Sequence, residues 1–120
     1  MYALGKHLLL ELKDCNQEVL NDLTYLQDAM LTAAEQAGAT VLEKYFHQFS
    51  PQGVSGAVII AESHLSLHTW PEYGYAAVDI FTCGDTVSTE AAAEFLIQRL
   101  ESRDPVVMEI RRGIRAPVAV

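Results

Sequence analysis

The order of patterned segments predicts an α+β domain, a two-layer sandwich in which helices cover one face of a largely antiparallel sheet. Three observations carry this. Strand-like and helix-like stretches follow one another as strand, helix, three or four strands, helix, strand. Pro71-Glu72-Tyr73-Gly74 lies between two runs of strand-forming residues, where Pro71 fixes φ and Gly74 permits φ > 0, so the flanking runs fold into a hairpin. Only two stretches have helical spacing, enough for one sheet face, and a second copy of the chain is the simplest cover for the other. The expected assembly is therefore a homodimer with paired sheet faces.

Residues Leu4 to Lys13, with the apolar run Leu8 to Leu10, suit a buried first strand, in which His7 is expected to be structural. After Asn16, apolar residues at Val19, Leu23, Leu26, Met30, Ala33 and Ala37 draw one stripe down an amphipathic helix that Gly38 is placed to end. Its other face carries Glu18, Asp22, Asp28 and Glu35, a solvated charged surface. Thr40 to Phe49 is β-rich, and Pro51, Gly53 and Gly56 then shape a tight loop. Ala57 to Ala61 resumes as a buried strand that runs into Glu62-Ser63. After the hairpin, Ser88 caps a second helix with Glu90 in its first turn, and Phe95, Leu96 and Leu100 supply its apolar side. Pro105 introduces the last strand, Val106 to Ile110.

At 120 residues and 50% hydrophobic composition, one domain spanning residues 1–120 with one core is expected. The formal charge of −8 disfavours nucleic acid, since the one basic cluster, Arg111, Arg112 and Arg115, is short. Cys15 and Cys83 accompany no signal-peptide pattern, which predicts free thiols and a cytoplasmic location. No apolar run is long enough to span a bilayer, so no membrane association is expected, nor is a metal site.

The segment Glu62 to Asp85 holds most of the chemically capable side chains. With the hairpin centred between Glu72 and Tyr73, or one residue slipped, Ser63 faces Thr82 or Cys83, so a hydroxyl is expected to meet a thiol. Geometry alone leaves open that Ser63 is a strand-edge polar residue and Cys83 a small buried hydrophobe.

The wording of that segment, Ala-Glu-Ser-His-Leu-Ser-Leu-His-Thr-Trp-Pro-Glu-Tyr-Gly-Tyr-Ala-Ala-Val-Asp-Ile-Phe-Thr-Cys-Gly, closely resembles the bacterial and archaeal S-adenosylmethionine decarboxylase proenzymes. The likeness extends through His47 to Gly56 and to Leu4-Gly5-Lys6-His7. It implies self-cleavage between Glu62 and Ser63, giving a β chain of residues 1–62 and an α chain of residues 63–120. Ser63 would become a pyruvoyl group whose ketone condenses with the substrate amine as a Schiff base. By the same resemblance His68 is the proton acceptor in processing, Ser55 assists it, and Cys83 is the proton donor in decarboxylation. A thiol suits that task because it is mostly protonated at neutral pH yet yields its proton readily. Phe49 would offer an aromatic face to adenine or the sulfonium, Glu72 would accept hydrogen bonds from the ribose, and Trp70 and Tyr75 are further candidates to line the pocket. The implied activity converts S-adenosylmethionine to CO2 and the aminopropyl donor of spermidine and polyamine biosynthesis.

Pyridoxal phosphate is poorly supported, because Lys6, Lys13 and Lys44 are the only lysines and none adjoins a phosphate-binding glycine loop. Two alternatives stay open: the same machinery acting on ornithine or arginine, and a non-cleaving partner that activates a true decarboxylase. If Ser63 to His68 is one extended strand, the two α-carbons lie about 16 Å apart, with side chains on opposite faces. His68 then cannot serve its own Ser63. The expectation is a shared site, with Ser63 and Cys83 from one protomer and Ser55, His68, Phe49 and Glu72 from its partner.

Overall fold

The computed structural model describes residues 2–115; residues 1 and 116–120 of the expected domain lie outside that range. Six strands form one antiparallel sheet: β1 (Tyr2–Lys13), β2 (Val41–Gln48), β3 (Val54–Ile60), β4 (Ser63–Trp70), β5 (Tyr75–Cys83) and β6 (Asp104–Arg115), in the order β2-β3-β4-β5-β1-β6. Helices α1 (Leu23–Gln36) and α2 (Thr89–Arg99) pack side by side over one face. The expected α+β architecture is thus the observed one.

Alternation explains the layering. Leu8, Leu10 and Leu12 of β1, Val54, Val58 and Ile60 of β3, Leu65 and Leu67 of β4, and Val78 and Ile80 of β5 all point under the helices. There they meet Leu26, Met30 and Ala33 of α1 and Leu96 of α2. Truncating one of these leucines to alanine would cost about 2–5 kcal/mol. The residues between them face away from the helices, and that open face exposes Tyr45, Ile59, Trp70, Val106, Met108 and Ile110.

Three elements differ from expectation. Gly56, expected in the loop, lies within β3, which begins at Val54 because β2 and β4 pair with it on both sides. The stripe beginning at Val19 is not one helix: Val19–Asn21 is a short 3-10 turn, and Asp22 caps α1 by accepting from the Tyr25 amide at 3.0 Å. Asn16 meanwhile accepts from the Glu18 and Val19 amides, so two capping residues compete for one start and both are used. The last strand is much longer than Val106 to Ile110, because β1 offers it a partner along its whole length, from Tyr2↔Arg115 to Lys13↔Asp104.

The hairpin turn is a short 3-10 segment, Pro71–Tyr73, closed by Gly74 at φ 61, a left-handed conformation that glycine adopts without steric cost. It fixes the register of β4 on β5 from Trp70↔Tyr75 to Ser63↔Thr82, the unslipped alternative.

Candidate active site

At the open end of the hairpin, the bond between Glu62 and Ser63 is held from several sides. The Glu62 carbonyl accepts the Cys83 amide at 2.9 Å and the Cys83 thiol at 3.3 Å. The Glu62 carboxylate accepts the Thr40 amide at 3.2 Å, and the Ala61 amide donates to the Thr40 carbonyl at 2.8 Å. Ser63 itself sits at φ 147, a conformation that L-residues rarely adopt and that costs of order 1–3 kcal/mol. Two donors on one carbonyl stabilise negative charge as it develops there, the usual requirement of acyl transfer. Strain and polarisation thus converge on one peptide bond, with a hydroxyl beside it.

This corrects one expectation. Ser63 is paired with buried Thr82, and Cys83 belongs to the other set of alternating positions, facing the open side. The thiol meets the Glu62 carbonyl and not the Ser63 hydroxyl across the pair. A backbone carbonyl leaves no mark in a sequence, so this contact could not be read there.

A second group of side chains lies at the turn end. Ser55 and His68 are direct partners across β3 and β4, with Ser55 Oγ and His68 Nδ1 hydrogen-bonded at 2.8 Å. Beside them the buried Thr69 hydroxyl donates to the Leu20 carbonyl at 2.8 Å and accepts the Val54 amide at 2.9 Å, which pins β3, β4 and the 3-10 turn together. Losing such a buried partner costs about 1–3 kcal/mol. Phe49 is half exposed and meets His47 edge-on at 4.6 Å. Trp70 lies over Tyr75 at 5.4 Å, and Glu72 is exposed in the turn. The Tyr75 hydroxyl donates to Glu11; burial first, and then that carboxylate, push the phenol up to about 12.

Between the two groups, β4 runs without a bulge, its register unbroken on both sides from Ser63 to His68. Five residues at about 3.3 Å keep their α-carbons on the order of 16 Å apart. One chain does not bring them together. The intervening open face carries Ser66, which donates to Asp79 at 2.9 Å, and His7, whose Nε2 lies 3.4 Å from Asp79 without the alignment of a hydrogen bond. His7 also packs on Phe81 at 5.3 Å, in keeping with a structural role. Asp79, the one carboxylate of β5, is what Ser66 and His7 share.

Residues 6–113 match the family model described as S-adenosylmethionine decarboxylase. The chain belongs to that family. It is 54% identical over 114 residues to the S-adenosylmethionine decarboxylase proenzyme of Thermodesulfovibrio yellowstonii, covering 95% of this chain and 84% of that one. It is 50% identical over 117 residues to the proenzyme of Moorella thermoacetica, covering 98% and 94%. The crystal structure of the adenosylmethionine decarboxylase from Aquifex aeolicus superimposes with a TM-score of 0.92 at 31% identity, over 100% of this chain and 99% of that one.

Family members depend on a pyruvoyl group, and the residues at the open end fit its formation here: a serine beside a carbonyl already held by two donors, at a strained junction. Both cysteines are free, Cys15 buried and Cys83 exposed. Burial pushes the Cys15 thiol up, which suits a packing role, whereas Cys83 is reachable. Among the described residues, no group of three or more His, Cys, Asp or Glu could hold a metal ion, and no helix is long and apolar enough to cross a membrane.

Proposed function

We propose that the chain is a proenzyme that cuts itself between Glu62 and Ser63, and that residues 1–62 and 63–120 then act together to decarboxylate S-adenosylmethionine. The observation that carries this reading is the Glu62 carbonyl gripped by the Cys83 amide and thiol beside a strained Ser63. The Ser63 hydroxyl attacks that carbonyl carbon, the peptide C–N bond breaks, and an ester replaces the amide. Removal of the residue-63 α-proton, with His68 as acceptor, expels the Glu62 carboxylate and separates the chains. Water then displaces ammonia to leave the ketone. Ser55, hydrogen-bonded to His68, orients the imidazole.

The pyruvoyl group at position 63 supplies the electron sink that ordinary side chains lack. Cys83 gives a proton to the substrate α-carbon after CO2 departs. Phe49 and Trp70 offer π-faces to the adenine or the sulfonium, and Glu72 accepts from ribose hydroxyls. Because the two residue groups stand at opposite ends of one strand, each site is assembled in a homodimer from the open end of one protomer and the turn end of its partner. The apolar open face, with Tyr45, Ile59, Trp70, Met108 and Ile110 exposed, supports such pairing. Two free thiols suit the reducing cytoplasm.

The names borne by the relatives favour S-adenosylmethionine over ornithine or arginine, and a proenzyme over a non-cleaving partner. Denaturing intact-mass measurement should give two chains, the larger-numbered one with a blocked terminus, and carboxyl-labelled S-adenosylmethionine should release labelled CO2. A single intact chain without turnover, or release from ornithine or arginine alone, would contradict the proposal.

A further inference from the structure

The basic cluster Arg111-Arg112-Arg115 stands outside the chemistry described so far. In this acidic chain most cations face a carboxylate: Lys6 faces Glu90 at 2.7 Å, Arg99 faces Asp28 at 2.9 Å and Arg111 faces Glu109 at 2.8 Å. Lys13 and Arg103 are likewise paired, with Asp104 and Asp14. Arg112, like Lys44 and Arg115, has no such partner among the described residues, but it alone of these three lies against an aromatic ring. No carboxylate among the described residues lies within 4.0 Å of it, and its guanidinium is stacked over the Phe81 ring at 4.9 Å from the centroid.

The register explains how an arginine on the sheet's last strand reaches that ring. Cys83, Gly5 and Arg112 form one cross-strand row, and Phe81 is the next residue of β5 on the same open face. Gly5 has no side chain to block the way, and a Cβ there would come within 2.6 Å of the Phe81 ring. The ring leans into the space above Gly5, and Arg112 extends back across it toward β5. Stacking occupies the face of the guanidinium and leaves its in-plane N–H donors free. A positive charge with free donors is thereby held beside the strand end that carries Cys83.

We propose that Arg112 is a substrate-binding residue that pairs with the α-carboxylate of the substrate, the group that leaves as CO2. The inference rests on the proposed decarboxylase reading. The reacting carbon bears the amine that joins position 63 and receives its proton from Cys83, so its carboxylate must lie beside both. Planar, bidentate recognition of carboxylate is what arginine provides best. The pairing also separates substrate from product: decarboxylated S-adenosylmethionine keeps the adenine, ribose, sulfonium and amine but has lost the one group that Arg112 holds.

The test uses the full chain with Arg112→Gln or Arg112→Lys, each also made in the Ser63→Ala background, which forms no pyruvoyl group. Calorimetry on the Ser63→Ala proteins measures the Kd of S-adenosylmethionine and of its decarboxylated form. Arg112→Gln should weaken the first about tenfold or more and the second less than twofold, with Arg112→Lys recovering part of the loss. In the cleaving background the same variant should self-process like the wild type and raise KM far more than it lowers kcat. Equal weakening of both compounds, or no change in either, would overturn the assignment, as would conversion of the dimer to monomers by Arg112→Lys. Failure of the decarboxylase reading shows separately, as wild-type protein that stays uncut or does not turn over S-adenosylmethionine.

Discussion

At the open end of the β4–β5 hairpin the decisive groups are backbone: the Glu62 carbonyl, the Cys83 amide and the unusual φ of Ser63. At the turn end they are side chains on a surface: His68 and Glu72 are exposed, Phe49 and Trp70 nearly half so. The first region is finished within one chain, because sheet hydrogen bonds on both sides of Ser63 set its geometry. The second has Ser55 and His68 hydrogen-bonded at 2.8 Å, at the far end of β4 from Ser63. On the proposed reading, the nucleophile Ser63 and its proton acceptor His68 stand at opposite ends of one strand, as complementary halves of a shared site.

Substitutions in the two halves should fail differently. Ser63→Ala removes the proposed nucleophile, so the chain should remain single by denaturing mass measurement and show no decarboxylase activity. Two fragments of the expected masses from that variant would mean that Ser63 is not what cleaves. Next in size is Cys83→Ala, which removes the thiol at 3.3 Å but keeps the backbone amide at 2.9 Å on the Glu62 carbonyl. Cleavage should persist at a reduced rate, while turnover by the cleaved enzyme falls roughly 10²-fold or more for want of a proton donor. Wild-type turnover by cleaved Cys83→Ala protein would remove the thiol from the reaction. Ser55→Ala, at the other end, should slow cleavage through loss of one hydrogen bond to His68, by about tenfold, with thermal unfolding little changed. A time course of chain separation measures it.

The smallest expected effect lies next to the open end. The Lys6 ammonium, hydrogen-bonded at 2.7 Å, holds the Glu90 carboxyl below its ordinary range and ties β1 to the start of α2. A carboxyl with a lowered folded-state pKa contributes stability above its ordinary value, 4.5, and loses that contribution as pH falls through the lowered one. Glu90 is well exposed, so Glu90→Gln should lower the unfolding midpoint by only about 1 °C at pH 7. The difference from wild type should vanish under strongly acidic conditions, and thermal scans across that range check it. A difference that grows on acidification would reverse the sign.

The turn at Pro71–Gly74 made the hairpin legible, and its centring gave the Ser63↔Thr82 register as one of two alternatives. Alternating apolar residues likewise disclosed the strands, since burial on one sheet face writes a period of two into the sequence. The start of α1 was hidden because Asn16 and Asp22 are both good capping residues and only tertiary contacts apportion them. The length of β6 was hidden because Arg111-Arg112-Gly113 looks like a polar tail until β1 pairs with it. The separation of Ser63 from His68 followed from strand rise alone, whereas the Glu62 carbonyl's two donors required the fold.

Mixed dimers test the two-half arrangement most directly. Co-expression of Ser63→Ala with a processing-defective His68→Ala chain should yield heterodimers with one intact site: Ser63 and Cys83 from the His68→Ala chain, and Ser55, His68, Phe49 and Glu72 from its partner. In those dimers the His68→Ala chain should be cut at Glu62–Ser63, the Ser63→Ala chain should stay whole, and decarboxylase activity should return. Heterodimers that form but recover neither cleavage nor activity would show that His68 works within its own chain, contradicting the shared site.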